Sequence, residues 1–163
     1  MADIQVDPAG SSVTFEIAHR GDVVEGRFGT VSGSLRWPEQ DTPGELYVAV
    51  ATASIDTGIG LRDTHLRSGD YFDAQRFPVA VFQSGAVVAA AEGLRAAGTL
   101  NFLGVERPLE VRLEVNPSTE DGPSHTTGFA IDRSDFGMLE GLEGGSIGDR
   151  VVVRVVLNWQ EAE

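Results

Sequence analysis

The feature that most constrains the fold of this chain is the recurrence of apolar residues at every second position in two stretches of its second half. From Leu109 to Val115 every second residue is leucine or valine, and Glu110, Arg112 and Glu114 stand between them. From Val151 to Trp159 every odd-numbered position is valine, leucine or tryptophan. A period of two residues places one face of a β-strand in a dry core and the other in water. Both stretches therefore predict antiparallel strands with one buried face.

Shorter patterns of the same kind predict further strands over residues 13–19, 24–37, 46–50, 79–88, 94–102 and 126–133. The stretch 24–37 contains Gly26, Gly29 and Gly33, and glycine inside a strand marks a bulge or a bend through which a sheet curls. About eight antiparallel strands joined by short loops are typical of a closed barrel or a sandwich. The interior glycines favour the barrel. We predict an all-β fold, an eight-stranded antiparallel β-barrel formed by one domain that spans residues 1–163.

One segment interrupts the alternation. Residues 61–68 predict a short helix, with Leu61 and Leu66 as apolar contacts and Gly69 as its C-terminal stop. Tyr71, Phe72 and Phe77 follow closely. A helix and several aromatic residues among strands need an apolar surface, and the end of a β-barrel provides one.

The composition excludes several classes of function. The chain has 163 residues, no cysteine and a formal charge of −13, from 25 acidic and 12 basic residues. Disulfides, a thiol nucleophile and a cysteine–zinc cluster are therefore ruled out. So acidic a protein repels phosphate backbones and anionic membrane surfaces, which argues against nucleic-acid binding and electrostatic membrane docking.

The sequence also bears on membranes and location. No apolar run is long enough to cross a bilayer, so no stable membrane insertion is expected. The N-terminal residues carry no basic region followed by an apolar stretch, as a signal peptide would. We expect a cytoplasmic protein as encoded, and a periplasmic or secreted one if a leader has been removed.

Charged residues gather on the predicted helix. Asp63 and Arg67 are four residues apart, which predicts an ion pair, and Arg62 and His65 are three apart and also neighbours. Two interpretations stay open: these groups cap the helix and tie it to the barrel rim, or they form an acid–base site. In the second, His65 or His19 acts as the acid–base group and Asp63 orients it.

The sequence offers little sign of a metal or cofactor. The histidines His19, His65 and His125 have no local spacing typical of metal ligands. No nucleophile elbow, P-loop or dinucleotide-binding motif is present. We therefore predict no metal and no cofactor.

The size of the residues leaves two interiors possible. The phenylalanines of the predicted strands are large enough to fill a barrel of this size completely. Small residues stand beside them, among them Val48, Ala80 and Ala96. If these point inward, a narrow apolar tunnel remains that suits a long, thin, apolar ligand.

Several motifs in order resemble the YceI-like family over nearly the whole chain. The opening segment is Val6-Asp7-Pro8-Ala9-Gly10-Ser11-Ser12-Val13-Thr14-Phe15, followed by His19 and then by Gly26-Arg27-Phe28. The most specific motif is Arg62-Asp63-x-His65-Leu66-Arg67-Ser68, with Tyr71-Phe72-Asp73-Ala74 and Phe77-Pro78-x-x-x-Phe82. Gly98-x-Leu100, Gly104-Val105-x-Arg107-Pro108-Leu109, Ile131-x-Arg133-Ser134-Asp135-Phe136-Gly137-Met138 and Ile147-Gly148-Asp149-x-Val151 complete the resemblance.

The resemblance implies a lipocalin-like barrel that binds a polyisoprenoid or another long-chain lipid and is not an enzyme. The apolar pocket would be lined by Phe15, Ile17, Phe28, Val48, Leu66, Phe72, Phe82, Leu100, Phe102, Phe129 and Phe136. The candidates to meet a polar or phosphorylated head group are Arg62, His65, Arg67 and Arg133, because arginine suits anionic oxygens.

Two further functions remain open. One is an enzyme acting on a lipid or quinone through His65 and Asp63, and the other is an interaction module with a filled barrel. A homodimer is compatible with each of these functions.

Overall fold

The computed structural model describes residues 3–116 and 124–161, and its strands form one antiparallel sheet. The strands are β1 (Ile4–Val6), β2 (Ser12–His19), β3 (Asp22–Phe28), β4 (Val31–Arg36), β5 (Gly44–Ala51), β6 (Ile55–Asp56), β7 (Val79–Ala90), β8 (Gly93–Phe102), β9 (Val105–Val115), β10 (Ser124–Asp132) and β11 (Ile147–Glu161). The helix α1 is Gly60–Leu66, and 3₁₀ turns cover Thr52–Ser54 and Arg133–Phe136.

The sheet closes into a barrel. The eleven strands count as eight in the barrel, because three pairs of them lie end to end and act as single longer strands. β1 continues into β2, β3 into β4 and β5 into β6. β4 pairs with β1 where β3 pairs with β2, and β6 pairs with β3 where β5 pairs with β4. β1 also pairs with β11, which closes the barrel. The predicted all-β eight-stranded barrel with a short helical insert is confirmed, and the closed sheet excludes the sandwich.

The predicted strand 24–37 is one long strand with a break between Phe28 and Val31. At the break the Gly29 N–H donates to the Ser54 carbonyl, 3.1 Å away, instead of continuing the ladder. The short strands β1 and β6 were not predicted from the sequence, because two or three residues carry no measurable alternation.

The helix ends earlier than predicted, at Leu66 rather than at Ser68. The Ser68 N–H donates to the His65 carbonyl at 3.1 Å. This bond spans three residues, so the chain tightens out of the α-helix before it reaches Gly69.

The core divides between the two ends of the barrel. One end, the floor, is closed by a buried cluster that includes Val6, Leu35, Leu94 and Trp159. The other end, the mouth, carries α1 and a smaller cluster in which Phe102, Phe136 and Met138 pack with Tyr71 and Phe72. Within the described residues, no helix is sufficiently long and apolar to span a bilayer.

Candidate functional site: an apolar cavity inside the barrel

A cavity of about 300 Å³ lies inside the barrel. It reaches from the mouth, where His19 and Ile147 line it, to Leu46, Leu113 and Leu157 near the floor. Inward-facing residues of the strands form its walls, because the alternation that predicted the strands sends every second side chain inside. The volume is at the lower end of the range of small-molecule pockets, about 300–1,000 Å³.

All but one of the predicted apolar pocket residues line this cavity. They are Phe15, Ile17, Phe28, Val48, Leu66, Phe72, Phe82, Leu100, Phe102 and Phe129. Phe136 does not line it. The 3₁₀ turn after β10 places its ring behind Phe102, at a centroid distance of 5.4 Å, and only 4% of the residue is exposed.

The phenylalanines follow one another along the wall and leave the centre open. Phe15 contacts Phe28 at 5.6 Å between ring centroids, Phe28 contacts Phe72 at 5.6 Å, and Phe72 contacts Phe102 at 5.5 Å. The small residues Val48 and Ala80 also face inward. The interior is therefore hollow, and of the two interiors that the sequence left open, the structure has the one with an apolar space.

Polar side chains line the mouth: His19, Thr57, Arg62, His65, Tyr71 and Arg133. Arg62 is held by two hydrogen bonds, from Nε to the Thr57 hydroxyl at 2.7 Å and from Nη2 to the Thr57 carbonyl at 2.8 Å. Its Nη1 group makes no hydrogen bond to the described residues. A positioned guanidinium with N–H groups to spare thus faces the entrance.

Asp63 and Arg67 do not form the predicted ion pair. Asp63 is buried, and its Oδ1 accepts hydrogen bonds from the N–H of Thr57 at 2.9 Å and the hydroxyl of Thr57 at 2.6 Å. Arg67 donates to the Thr64 hydroxyl at 3.3 Å and does not line the cavity. The aspartate therefore ties α1 to the loop before it.

His65 pairs with Asp70, not with Asp63. Its Nε2 lies 2.9 Å from Oδ2 of Asp70, and both side chains are more than half exposed. The ring of Tyr71 meets the imidazole edge to face at 5.0 Å. Burial raises the pKa of Tyr71, with a further contribution from Glu140, so its hydroxyl stays protonated at the cavity entrance. The hypothesis that Asp63 orients His65 is wrong.

Arg133 is almost completely buried, with 1% of the residue exposed. It donates to the carbonyls of Gly148 (Nε, 2.8 Å), Met138 (Nη1, 3.1 Å) and Ile147 (Nη2, 3.3 Å). Burial lowers its pKa. Since three of its N–H groups bind these carbonyls, Arg133 holds the segment 137–148 against the mouth.

The three histidines lie apart: His19 and His65 at the mouth, His125 at the floor. Within residues 3–116 and 124–161, no group of three His, Asp or Glu residues is placed to hold a metal ion.

Two residues of the mouth, Thr57 and Tyr71, were not predicted. Thr57 stands in a loop without periodicity, so no sequence pattern points to it. Tyr71 was singled out only as one of the aromatics that follow the helix. Its place beside His65 depends on how the chain folds back after α1.

Fold and site together define a class: a closed antiparallel β-barrel with an internal apolar cavity, open at the end that carries the helix and its arginine and histidine side chains. The sequence model of the YceI-like domain family matches residues 4–159. This chain therefore belongs to the YceI-like family.

Its curated relatives are longer than the matched region. A UPF0312 protein of Vibrio parahaemolyticus is 36% identical over 118 residues, which are 69% of this chain and 62% of the relative. A UPF0312 protein of Pseudomonas aeruginosa is 32% identical over 124 residues, 74% of this chain and 65% of the relative. The chain thus spans less than two thirds of either relative.

Two solved structures show the same fold. BcnA of Burkholderia cenocepacia superposes with a TM-score of 0.82 at 24% identity, over 93% of this chain and 98% of that one. A polyisoprenoid-binding domain from Saccharophagus degradans superposes with a TM-score of 0.76 at 20% identity, over 99% of each chain.

Proposed function

We propose that this protein is a non-catalytic carrier or store that holds one long-chain lipid, an isoprenoid or another acyl chain, in its barrel. The observation that carries the proposal is the hollow interior of about 300 Å³ with walls of phenylalanine, leucine and valine. Transfer of a methylene group from water to such surroundings is favourable by about 0.8 kcal/mol. A charged or strongly polar molecule would gain no such free energy from these apolar walls, because it would lose its hydration there.

The mouth supports an anionic or polar head group. Arg62 and His65 line the entrance, and arginine is well suited to carboxylate and phosphate oxygens. Arg67 lies outside the cavity, so Arg62 is the stronger candidate of the two. Arg133 remains a candidate, although most of its donors already serve the segment behind it.

The comparison with known structures agrees with this choice of ligand. The Saccharophagus degradans neighbour is described as a polyisoprenoid-binding domain. Its likeness to this chain lies in the fold, so the ligand class is carried over here as part of the proposal.

A second candidate is an enzyme that acts on a lipid or quinone with His65 as the acid–base group. The 2.9 Å contact between His65 and Asp70 favours it, because a carboxylate can orient an imidazole. Replacement of His65 by Gln separates the two functions. An enzyme would lose turnover and keep its affinity for the lipid, whereas a carrier would show no turnover to lose.

The test of the carrier is to identify what the purified protein holds. We expect native mass spectrometry to show a complex of one protein with one lipid, and organic extraction to release an isoprenoid or acyl chain. The proposal is overturned if the protein is isolated empty and also fails to bind added prenyl and acyl lipids.

A further inference from the structure

The inner end of the cavity is not wholly apolar. Thr127 of β10 lines it there, opposite Val155 of β11, and Leu157, which also lines the cavity, stands two residues further toward the floor. The residue is 7% exposed, and its Oγ1 has no hydrogen-bond partner among the described residues. A buried hydroxyl without a partner is costly, and such groups in native proteins call for an explanation.

A second unpartnered group lies directly below it. His125 stands two residues before Thr127 on β10, so both side chains point to the same face, about 7 Å apart along the strand. Nδ1 of His125 accepts a hydrogen bond from Nε1 of Trp159 at 2.9 Å, which places the imidazole proton on Nε2. That Nε2 is buried and has no partner among the described residues.

In the part of the chain that the structure describes, no buried side chain with a formal charge lies beside these two groups. Of the described side chains that carry a formal charge, the buried ones are Asp63 and Arg133, both at the mouth. Burial lowers the pKa of His125, which keeps the imidazole neutral. An anion placed beside Thr127 would therefore lose its water without gaining a cation.

We infer that Thr127, with His125 behind it, forms a second polar site at the inner end of the cavity that takes an uncharged oxygen, the hydroxyl or carbonyl of a lipid. The inference rests on the proposed lipid-binding function. Its consequence concerns orientation. A lipid with a neutral head group enters head first, whereas one with an anionic head group enters tail first and keeps its head at Arg62 and His65.

The chain contains its own reporter of orientation. Its two tryptophans, Trp37 and Trp159, flank His125 at centroid distances of 5.7 and 6.1 Å. Bromine quenches tryptophan fluorescence at short range, so a ligand brominated at the end opposite its head group reports which end lies at the floor. The two probes are ω-bromodecanol and ω-bromodecanoic acid, each with its unbrominated parent as reference.

Both probes should displace a fluorescent fatty acid from the wild-type protein, but only the acid should quench the tryptophans strongly. Thr127→Val removes the hydroxyl and keeps the shape. In this variant the affinity for the alcohol should fall about two- to tenfold, as expected for one lost hydrogen bond. The alcohol that still binds should turn and quench like the acid, while the acid is unaffected.

The matched control is Thr14→Val on β2, whose Oγ1 is directed to the Arg154 carbonyl at 3.5 Å and which does not line the cavity. It should behave as wild type with both probes. Equal quenching by the two probes in the wild type, or an alcohol signal unchanged by Thr127→Val, overturns the inference and leaves the lipid cavity in place. If neither probe displaces the fluorescent fatty acid, the proposed function fails, and the inference falls with it.

Discussion

Asp63 and Thr57 fix the helix at the mouth of the barrel, because one carboxylate oxygen of Asp63 accepts both the N–H of Thr57, at 2.9 Å, and its hydroxyl, at 2.6 Å. The same threonine accepts from Arg62 through its hydroxyl and carbonyl oxygens. The position of Arg62 at the entrance thus depends on the bond between Thr57 and Asp63.

Replacement of Asp63 by Asn should destabilise the protein, because the amide oxygen of Asn can accept the two hydrogen bonds from Thr57 only without the negative charge that strengthens them. We expect the free energy of unfolding to fall by about 1–3 kcal/mol in urea titrations. The control is Asp70→Asn, whose carboxylate is 58% exposed and should change stability by about 1 kcal/mol or less. Equal effects of the two variants would contradict the role assigned to Asp63.

Filling part of the cavity should weaken lipid binding, whereas the same substitution at a neighbouring outward-facing position should not. Val153 lines the cavity, while the adjacent Val152 faces outward and is 45% exposed. Val153→Phe should lower the affinity for decanoic acid about tenfold or more, the equivalent of about two methylene contacts. Val152→Phe should leave the affinity unchanged, as measured by displacement of a fluorescent fatty acid. Normal binding by the Val153→Phe variant would show that the ligand lies elsewhere.

Arg62 should matter for anionic ligands and Arg67 should not. Arg62 lines the cavity mouth, whereas Arg67 lies outside it and donates to Thr64. Arg62→Gln should weaken decanoic acid binding about tenfold, the size of a lost charge-assisted hydrogen bond, and spare decanol. Arg67→Gln should affect neither ligand in isothermal titration calorimetry. An equal loss of affinity in both variants would mean that the net charge of the protein, and not a contact with Arg62, determines the affinity for the anion.

The stability of the protein should depend on His125 at mildly acidic pH. Burial lowers the pKa of His125 below its ordinary value of 6.5, so the unfolded chain binds a proton more readily than the folded one. Stability from this group is complete above pH 6.5 and declines as the pH falls below it, by up to about 1.4 kcal/mol per pH unit.

His125→Asn should flatten that part of the curve of unfolding free energy against pH, measured between about pH 7 and pH 5. A His125→Asn curve as steep as that of the wild type would contradict the assignment.

The sequence predicted the barrel and most of its inward-facing residues for one physical reason. In a strand with one buried face, residues two positions apart point to the same side of the sheet. The alternation therefore predicts that Phe15 and Ile17 share the interior, and that Val153 and Val155 do so as well. It could not reveal the space left between them. Whether phenylalanines cross a barrel or lie along its wall depends on the curvature of the sheet and on rotamers.

The polar contacts of the mouth were harder to predict. Helical spacing predicts that Asp63 contacts Arg67. In the structure Asp63 instead accepts two hydrogen bonds from Thr57, which lies in a loop whose sequence shows no periodicity. His65 found Asp70 because the chain turns sharply after the helix, and helical spacing does not extend past that turn. Phe136 was expected inside for its size and motif, yet the turn after β10 carries it into a second layer.

The pairing of β1 with β11 sets Ile4 opposite Glu161, so both ends of the described chain emerge side by side beneath the floor. A tether, fusion partner or surface joined to either end would therefore be attached at the floor, at the opposite end of the barrel from the mouth. The mouth of the barrel would then face away from the attachment.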